Sequence, residues 1–208
     1  WMAFPRRSTF FREYDIKYVK HWIDQAPEYE LKPVIVEGEV QRRFRAVVNK
    51  NTGYVVAIVS NKFQLIQHST VFNTFLEALE NKYDENEITG FFRWTDTRAY
   101  LTTYFKNYEF EKGDVYRLGL IVTNGVDGSL AVWTKFAGLR LVCTNGLVET
   151  KTIKVVKTVH IGVDPQEFME RLVKRFERII QDAEDYPKML ENKLLALRNK
   201  VISKNEAI

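Results

Sequence analysis

The feature that most constrains this chain is how its apolar residues are parcelled out beyond Leu31. They come in short runs rich in β-branched and aromatic side chains: Lys32–Val36, Arg43–Val48, Tyr54–Val59, Ile88–Thr95, Ala99–Phe105, Val115–Asn124, Ser129–Phe136, Leu139–Thr144 and Lys151–His160. Such runs read as strands. Clusters of turn-forming residues separate several of them, notably Asn49-Lys50-Asn51-Thr52-Gly53, Gly113-Asp114 and Asn124-Gly125-Val126-Asp127-Gly128. Asn and Gly tolerate the backbone angles that tight turns demand. Most of the gaps are too short for a helical crossover, which favours antiparallel pairing over β-α-β units. The run Tyr54–Val59 has no charge and is expected to be covered on both faces.

Helical spacing appears in three other places. Tyr14, Tyr18 and Trp22 recur every fourth residue, with Ile16, Val19 and Ile23 beside them and Pro27 beyond. This is a short helix whose aromatic stripe is expected to be core. Val71, Phe72, Phe75, Leu76 and Leu79 line one face of a second helix, with Ser69 or Thr70 as its cap. Asp84-Glu85-Asn86-Glu87 then reads as a solvated loop. Asp164-Pro165-Gln166-Glu167 starts a third helix, with Asp at the cap and Pro at the first position. Phe168, Leu172, Phe176, Ile179, Ile180 and Ala183 continue it. Pro187 is expected to divide this region into helices 165–186 and 188–203, the second carrying Leu190, Leu194, Leu197 and Val201. That spacing suits helix pairing or self-association. The fold expected is α+β: a mostly antiparallel β-sheet with helices packed on one side, in residues 1–162, and a helical C-terminal arm in 163–208.

Composition narrows the class further. Hydrophobic residues make up 45% of the 208 positions, enough for one sizeable core without staples. Cys143 is the only cysteine, so neither an intramolecular disulfide nor a thiolate zinc cluster is available, which suits a reducing compartment. Lying in an apolar run, it reads as a buried structural thiol. The apolar runs are too short to span a bilayer, and the residues after Arg6-Arg7 do not resemble a secretory signal. The expected location is the cytoplasm of a host cell, with no membrane partner.

Catalytic signatures are absent. The chain lacks the Gly-x-x-x-x-Gly-Lys-Ser/Thr phosphate loop, Gly-x-Gly-x-x-Gly, His-Glu-x-x-His and Gly-x-Ser-x-Gly. His21, His68 and His160 are isolated from one another, so no metal and no cofactor is expected. Glu28/Glu30, Glu37/Glu39 and Glu109/Glu111 have the spacing that places two carboxylates on one strand face, which in an amphipathic strand marks the wet side.

Charge is mild in total and uneven in distribution. The net charge is +4, and residues 135–160 alone carry five Lys/Arg against one acid, equal to the whole excess. Arg42, Arg43 and Arg45 lie on one strand run, and Lys135, Arg140, Lys151, Lys154 and Lys157 on later ones. Phe44, Phe91, Phe92, Trp94, Trp133 and Phe136 are interleaved with them. Cations set among rings suit a single-stranded nucleic acid, with charge on phosphates and bases stacked on aromatics. Trp94 and Trp133 are the candidate rings. Arg140 has a competing role as an internal partner of Asp127.

Three segments in order carry a family resemblance. Ser60, Phe63, Ile66 and Gln67 form the first, Asn124, Asp127, Gly128 and Ser129 the second, and Arg140, Val142, Cys143 and Asn145 the third. Together they resemble the phage/plasmid-like family of unknown function over roughly residues 45–162. The resemblance implies a protein borne on a mobile element, and no catalytic residues come with it. A non-catalytic sheet protein of that context, with basic strands, resembles single-strand binding and annealing proteins. The expected function is single-stranded DNA binding, with strand annealing in the replication or recombination of a mobile element (virus, phage or plasmid), by a homo-oligomer. Two alternatives stand beside it: a metal-dependent nuclease using Asp96, Asp127 and Glu149, and a structural or host-interaction protein that never touches nucleic acid.

Overall fold

The computed structural model describes residues 13–111, 114–129, 132–140, 156–158 and 164–198. Its elements run β1 (Tyr14–Asp15), α1 (Ile16–Asp24), β2 (Tyr29–Val36), β3 (Glu39–Asn49), β4 (Val55–Ser60), α2 (His68–Glu80), β5 (Thr89–Trp94), β6 (Arg98–Glu111), β7 (Asp114–Gly125), β8 (Val132–Arg140), β9 (Val156–Thr158) and α3 (Pro165–Arg198). The strands form two antiparallel sheets, one of order β1-β5-β6-β7-β8-β9 and one of order β2-β3-β4. The expected α+β architecture is thus observed, with its strands divided between two sheets.

One face of the six-stranded sheet is built from alternate residues: Phe92 on β5, Leu101 and Ala99 on β6, Leu120 and Val122 on β7, Phe136 and Val132 on β8. All join one core with α1, α2 and α3. The three helices therefore lie on a single side, as the alternation of period two requires once that face is apolar.

The helices show where periodicity was a good guide and where it misled. In α1 the buried stripe is Ile16, Val19 and Ile23, while Tyr18 is 62% exposed. Of the aromatic stripe Tyr18 alone is turned outward, while Tyr14 and Trp22 are partly buried and pack against the same core. In α2 the buried stripe is the expected one. Its N-cap is Gln67 and not Ser69 or Thr70, because the helix starts at His68. Gln67 does not cap with its side chain. Its amide instead accepts from Tyr29 N (3.0 Å) and donates to Tyr29 O (2.8 Å), mimicking a strand partner for β2. The acidic stretch forms a single 3₁₀ turn at Glu85–Glu87, with Asp84 Oδ1 accepting from Asn86 N.

Asp164 caps α3 as expected, its Oδ1 accepting from the backbone N–H of Gln166 (2.9 Å) and Glu167 (3.3 Å). Pro187 does not divide this helix, which runs unbroken to Arg198. A proline removes one rung of the ladder and crowds the preceding turn. Among the described residues the last core residue on this stripe is Ala183, which precedes Pro187.

The three-stranded sheet corrects a further expectation. Its β2–β3 hairpin closes through Glu37 (φ 52°) and Gly38 (φ 84°), the two-residue turn that matches strand twist. Its β3–β4 hairpin uses the predicted Asn49–Gly53 turn, with Asn49 Oδ1 accepting from Asn51 N and Thr52 N. One face packs Tyr29, Val47, Val59 and Phe63 against Val126. The uncharged run is not covered on both faces: Tyr54 is 75% exposed, Val55 58% and Ile58 54%. As an edge strand of a small sheet, β4 has a core on one side only.

Candidate nucleic-acid interface

The face of the large sheet opposite the helices is built by the residues that alternate with the core. Strand register aligns them in rows. One row reads Phe91, Thr102, Ile121, Lys135 across β5 to β8. The next reads Arg93, Tyr100, Thr123, Trp133, and continues to Lys157 on β9. A third holds Tyr104, which forms a small cluster with Phe91 and Ile121. Three cations lie over rings here. The Arg93 guanidinium is 5.0 Å from the centre of Tyr100, Lys135 Nζ is 4.9 Å from that of Trp133, and the Arg117 guanidinium is 5.4 Å from that of Tyr104. Each distance is within cation–π range.

The three cations differ electrostatically. Arg117 is paired with Glu13 and donates to Thr89 Oγ1 at 3.0 Å, so its charge is compensated. Burial pushes the neighbouring Tyr104 phenol above its ordinary pKa; the Glu13 charge adds to this and Arg117 opposes it. Arg93 and Lys135 have no carboxylate partner among the described residues, Arg93 being exposed and Lys135 half-buried. Between Tyr100 and Trp133 sits Thr123, fully buried, whose Oγ1 has no hydrogen-bond partner among the described residues. The arrangement offers π-faces about 10 Å apart, two strand spacings, with a cation against each.

The sequence-derived candidates are only partly brought together. Trp133 and Lys135 share this face, and Lys157 is in register with Trp133. Trp94 is on the other face, packed on the helix-side core beside Phe92 (ring centres 5.4 Å apart). Arg42, Arg43 and Arg45 are exposed on β3, in the other sheet, and have no ion-pair partner among the described residues. Arg140 ends β8 in register with Tyr116. Lys151 and Lys154 lie outside the described residues, as do Cys143, Asn145 and Glu149. Sequence reasoning missed Arg93 and Tyr100. Strand alternation does pair Phe91 with Arg93 and Phe92 with Trp94, but it cannot say which pair faces the helices.

The first two segments that carry the family resemblance have a structural task. Asn124 is fully buried; its Nδ2 donates to Ile66 O (3.2 Å) and lies 3.0 Å from His68 Nδ1. An amide N–H pointing at Nδ1 requires that nitrogen to accept, which assigns the ring proton of His68 to Nε2. Asp127 Oδ1 accepts from Ser129 N (2.9 Å) and Ser129 Oγ (2.7 Å), and Gly128 takes φ 74° beside Val59 and Phe63. The arginine that faces Asp127 is Arg98, with Nε 3.8 Å from Oδ2 and its Nη2 donating to Ser129 Oγ at 2.9 Å. Arg98 enters from β6 next door, and the side-chain contact expected of Arg140 lies outside what is described. Partial burial raises the Asp127 carboxyl, but the hydrogen bonds from Ser129 and Thr97 and the Arg98 charge outweigh it and hold the pKa below its ordinary value. These residues lock the end of β7 onto the β4–α2 connection.

Among the described residues, no group of three or more His, Cys, Asp and Glu stands close enough to hold a metal ion, and no helix is long and apolar enough to cross a membrane. The fold and this face define a two-sheet α+β protein with a cationic, aromatic sheet surface. Residues 55–204 match the family described as a domain of unknown function, DUF932, and the chain belongs to that family. No curated protein matches the chain.

Proposed function

We propose that this protein binds single-stranded nucleic acid, DNA by preference, on the sheet face opposite its helices. The observation that carries the reading is the paired arrangement of Arg93 with Tyr100 and Lys135 with Trp133 on one face, with Lys157 in register at its edge. Open sheet faces bearing rings and unpaired cations suit extended strands, because every base has a π-face and every nucleotide a phosphate. Arg42, Arg43 and Arg45 on the neighbouring sheet would extend the phosphate track. Binding without chemistry, by a homo-oligomer that aligns strands for annealing, fits the absence of a catalytic motif in the sequence. The resemblance to a phage/plasmid-like family supports a role in replication or recombination of a mobile element within a host cytoplasm.

Fluorescence anisotropy with labelled oligonucleotides at several salt concentrations tests this. Log affinity should fall with log salt by about 0.7 for each phosphate contacted. An Arg93→Glu/Lys135→Glu variant should bind more weakly and with a shallower slope. Absence of binding to DNA and RNA, or binding insensitive to both salt and these substitutions, would reject the proposal in favour of a structural or host-interaction protein.

A further inference from the structure

One row of the large sheet, on the face opposite the helices, has a symmetric chemistry. Register places Arg93, Tyr100, Thr123, Trp133 and Lys157 side by side on β5, β6, β7, β8 and β9. The order of residue types is cation, ring, hydroxyl, ring, cation. The residue at the centre is the unusual one. Thr123 is 0% exposed, and its Oγ1 has no hydrogen-bond partner among the described residues. Buried hydroxyls in folded proteins are nearly always paired, so one that is not calls for a reason. Packing does not supply it, because Val would fill the same space with no polar atom to satisfy. The two flanking rings are also held in an unusual way. Tyr100 and Trp133 are half-buried and belong to none of the hydrophobic clusters among the described residues. Each has a cation beside it instead, the Arg93 guanidinium at 5.0 Å and Lys135 Nζ at 4.9 Å from the ring centre.

We infer that Tyr100, Thr123 and Trp133 form a subsite for one unpaired nucleobase, inserted between the two rings with its edge hydrogen-bonded to Thr123 Oγ1. This subsite rests on the single-strand reading above and adds to it the residue that holds the base edge. The dimensions suit a planar ring. Tyr100 and Trp133 lie on the strands either side of Thr123, so their backbones stand about 10 Å apart. Two ring-to-ring contacts of about 5 Å each span that distance, with one planar group between two walls. The chemistry suits a base rather than an apolar ring. A base carries donors and acceptors on its rim, and a hydroxyl can serve either, so the buried Oγ1 gains the partner that it lacks in the free protein. The phosphate that accompanies the base finds Arg93 and Lys135, each beside one of the rings and neither with a carboxylate partner among the described residues. Thr123 is covered in the free protein, so an entering base must part the two side chains. As neither ring is set in a hydrophobic cluster among the described residues, this is a rotamer change that leaves the strands in place.

Fluorescence anisotropy of the full chain tests the subsite, with labelled oligo-dT, oligo-dC, oligo-dA and an abasic strand of the same length. The wild type should bind the base-bearing strands more tightly than the abasic one. Thr123→Val removes the hydroxyl and keeps the shape. Its affinity for the strand that the wild type binds best should fall about two- to tenfold, the effect of one hydrogen bond. The abasic strand offers no edge to the hydroxyl and should be bound by both proteins alike, with the same salt slope. Thr123→Ser should restore the loss. Urea melts on the same samples should find Thr123→Val at least as stable as the wild type, which separates a lost ligand contact from a damaged fold. Unchanged affinities in Thr123→Val, an equal loss on abasic and base-bearing strands, a Ser variant that behaves like Val, or a destabilised Thr123→Val would each overturn the subsite while leaving single-strand binding standing. Failure of the wild type to bind any of the strands would overturn both.

Discussion

Lys135 Nζ lies 4.9 Å from the centre of the Trp133 ring, two residues away along β8 and on the same face of the sheet. The contact follows directly from strand periodicity, and it leaves one π-face engaged by a cation that has no carboxylate partner among the described residues. If bases stack here, Trp133→Ala should weaken single-strand binding by about 1–3 kcal/mol, the range for loss of one base–aromatic stack. Trp94→Ala should cost folding stability instead, since that ring is in the helix-side core. Anisotropy titrations and denaturant melts on both variants separate the two effects.

Asn124 ties β7 to the start of α2 through Ile66 O and His68 Nδ1. Truncation to Ala strands two buried groups at once. Each unsatisfied group costs about 1–3 kcal/mol. Asn124→Ala should therefore be destabilised by roughly 2–4 kcal/mol, read as a lower urea midpoint. A loss below about 0.5 kcal/mol would mean that the contacts are not formed in solution.

Thr123 makes the opposite case. Its Oγ1 is buried and has no hydrogen-bond partner among the described residues. Replacement by Val keeps the shape and the β-branch. Thr123→Val should be neutral or up to about 1 kcal/mol more stable, measured by thermal or urea unfolding. Destabilisation would show that the hydroxyl has a partner in solution.

Asp127 gives the protein an acid-side sensitivity. Its carboxyl is held below the ordinary 3.8, so protonation is harder in the folded state than in the unfolded chain. The resulting stabilisation is complete above the unfolded value and is lost as pH falls through the folded one. Between pH 5 and pH 2, stability should drop less steeply in Asp127→Asn than in the wild type. Equal slopes in urea melts across that range would refute the assignment.

Tyr29 acts at the other extreme. Burial, with a smaller contribution from Asp96, pushes its phenol from 10.0 up to about 12, and its hydroxyl donates to Asp96 O at 2.8 Å. A raised folded value means that the stabilisation is present below pH 10 and lost as pH rises toward 12. Tyr29→Phe should lose the hydrogen bond, at about 1 kcal/mol near neutral pH, and should also lose part of the alkaline slope. Absorbance at the phenolate band in a pH titration gives the second measurement.

Much of the fold could be read before any coordinates. The turn at Asn49–Gly53, the strands that became β5 to β7, the apolar stripe of α2 and the Asp164 cap all depend on near neighbours in the chain, and local chemistry specifies them; β8 instead runs unbroken from Val132 to Arg140, through the break expected between Phe136 and Leu139. The errors share one origin. Tyr18 was expected inside and Val55 and Ile58 under cover, because periodicity identifies a stripe or a run without saying what stands opposite it. Pro187 was expected to end a helix that in fact continues past it.

The amino-acid order by itself determined the antiparallel character of the sheets, the places where helices begin and the spacing that joins Trp133 to Lys135, since each is a relation among residues a few positions apart. Only the tertiary structure decided that Trp94 faces the helices while Arg93 and Tyr100 face away, that Arg98 meets Asp127, and that Arg42, Arg43 and Arg45 belong to a second sheet. Alternation along a strand defines two faces with no sign attached. The sign is set when the helices bury one of them, and that choice is made by packing between segments far apart in the chain.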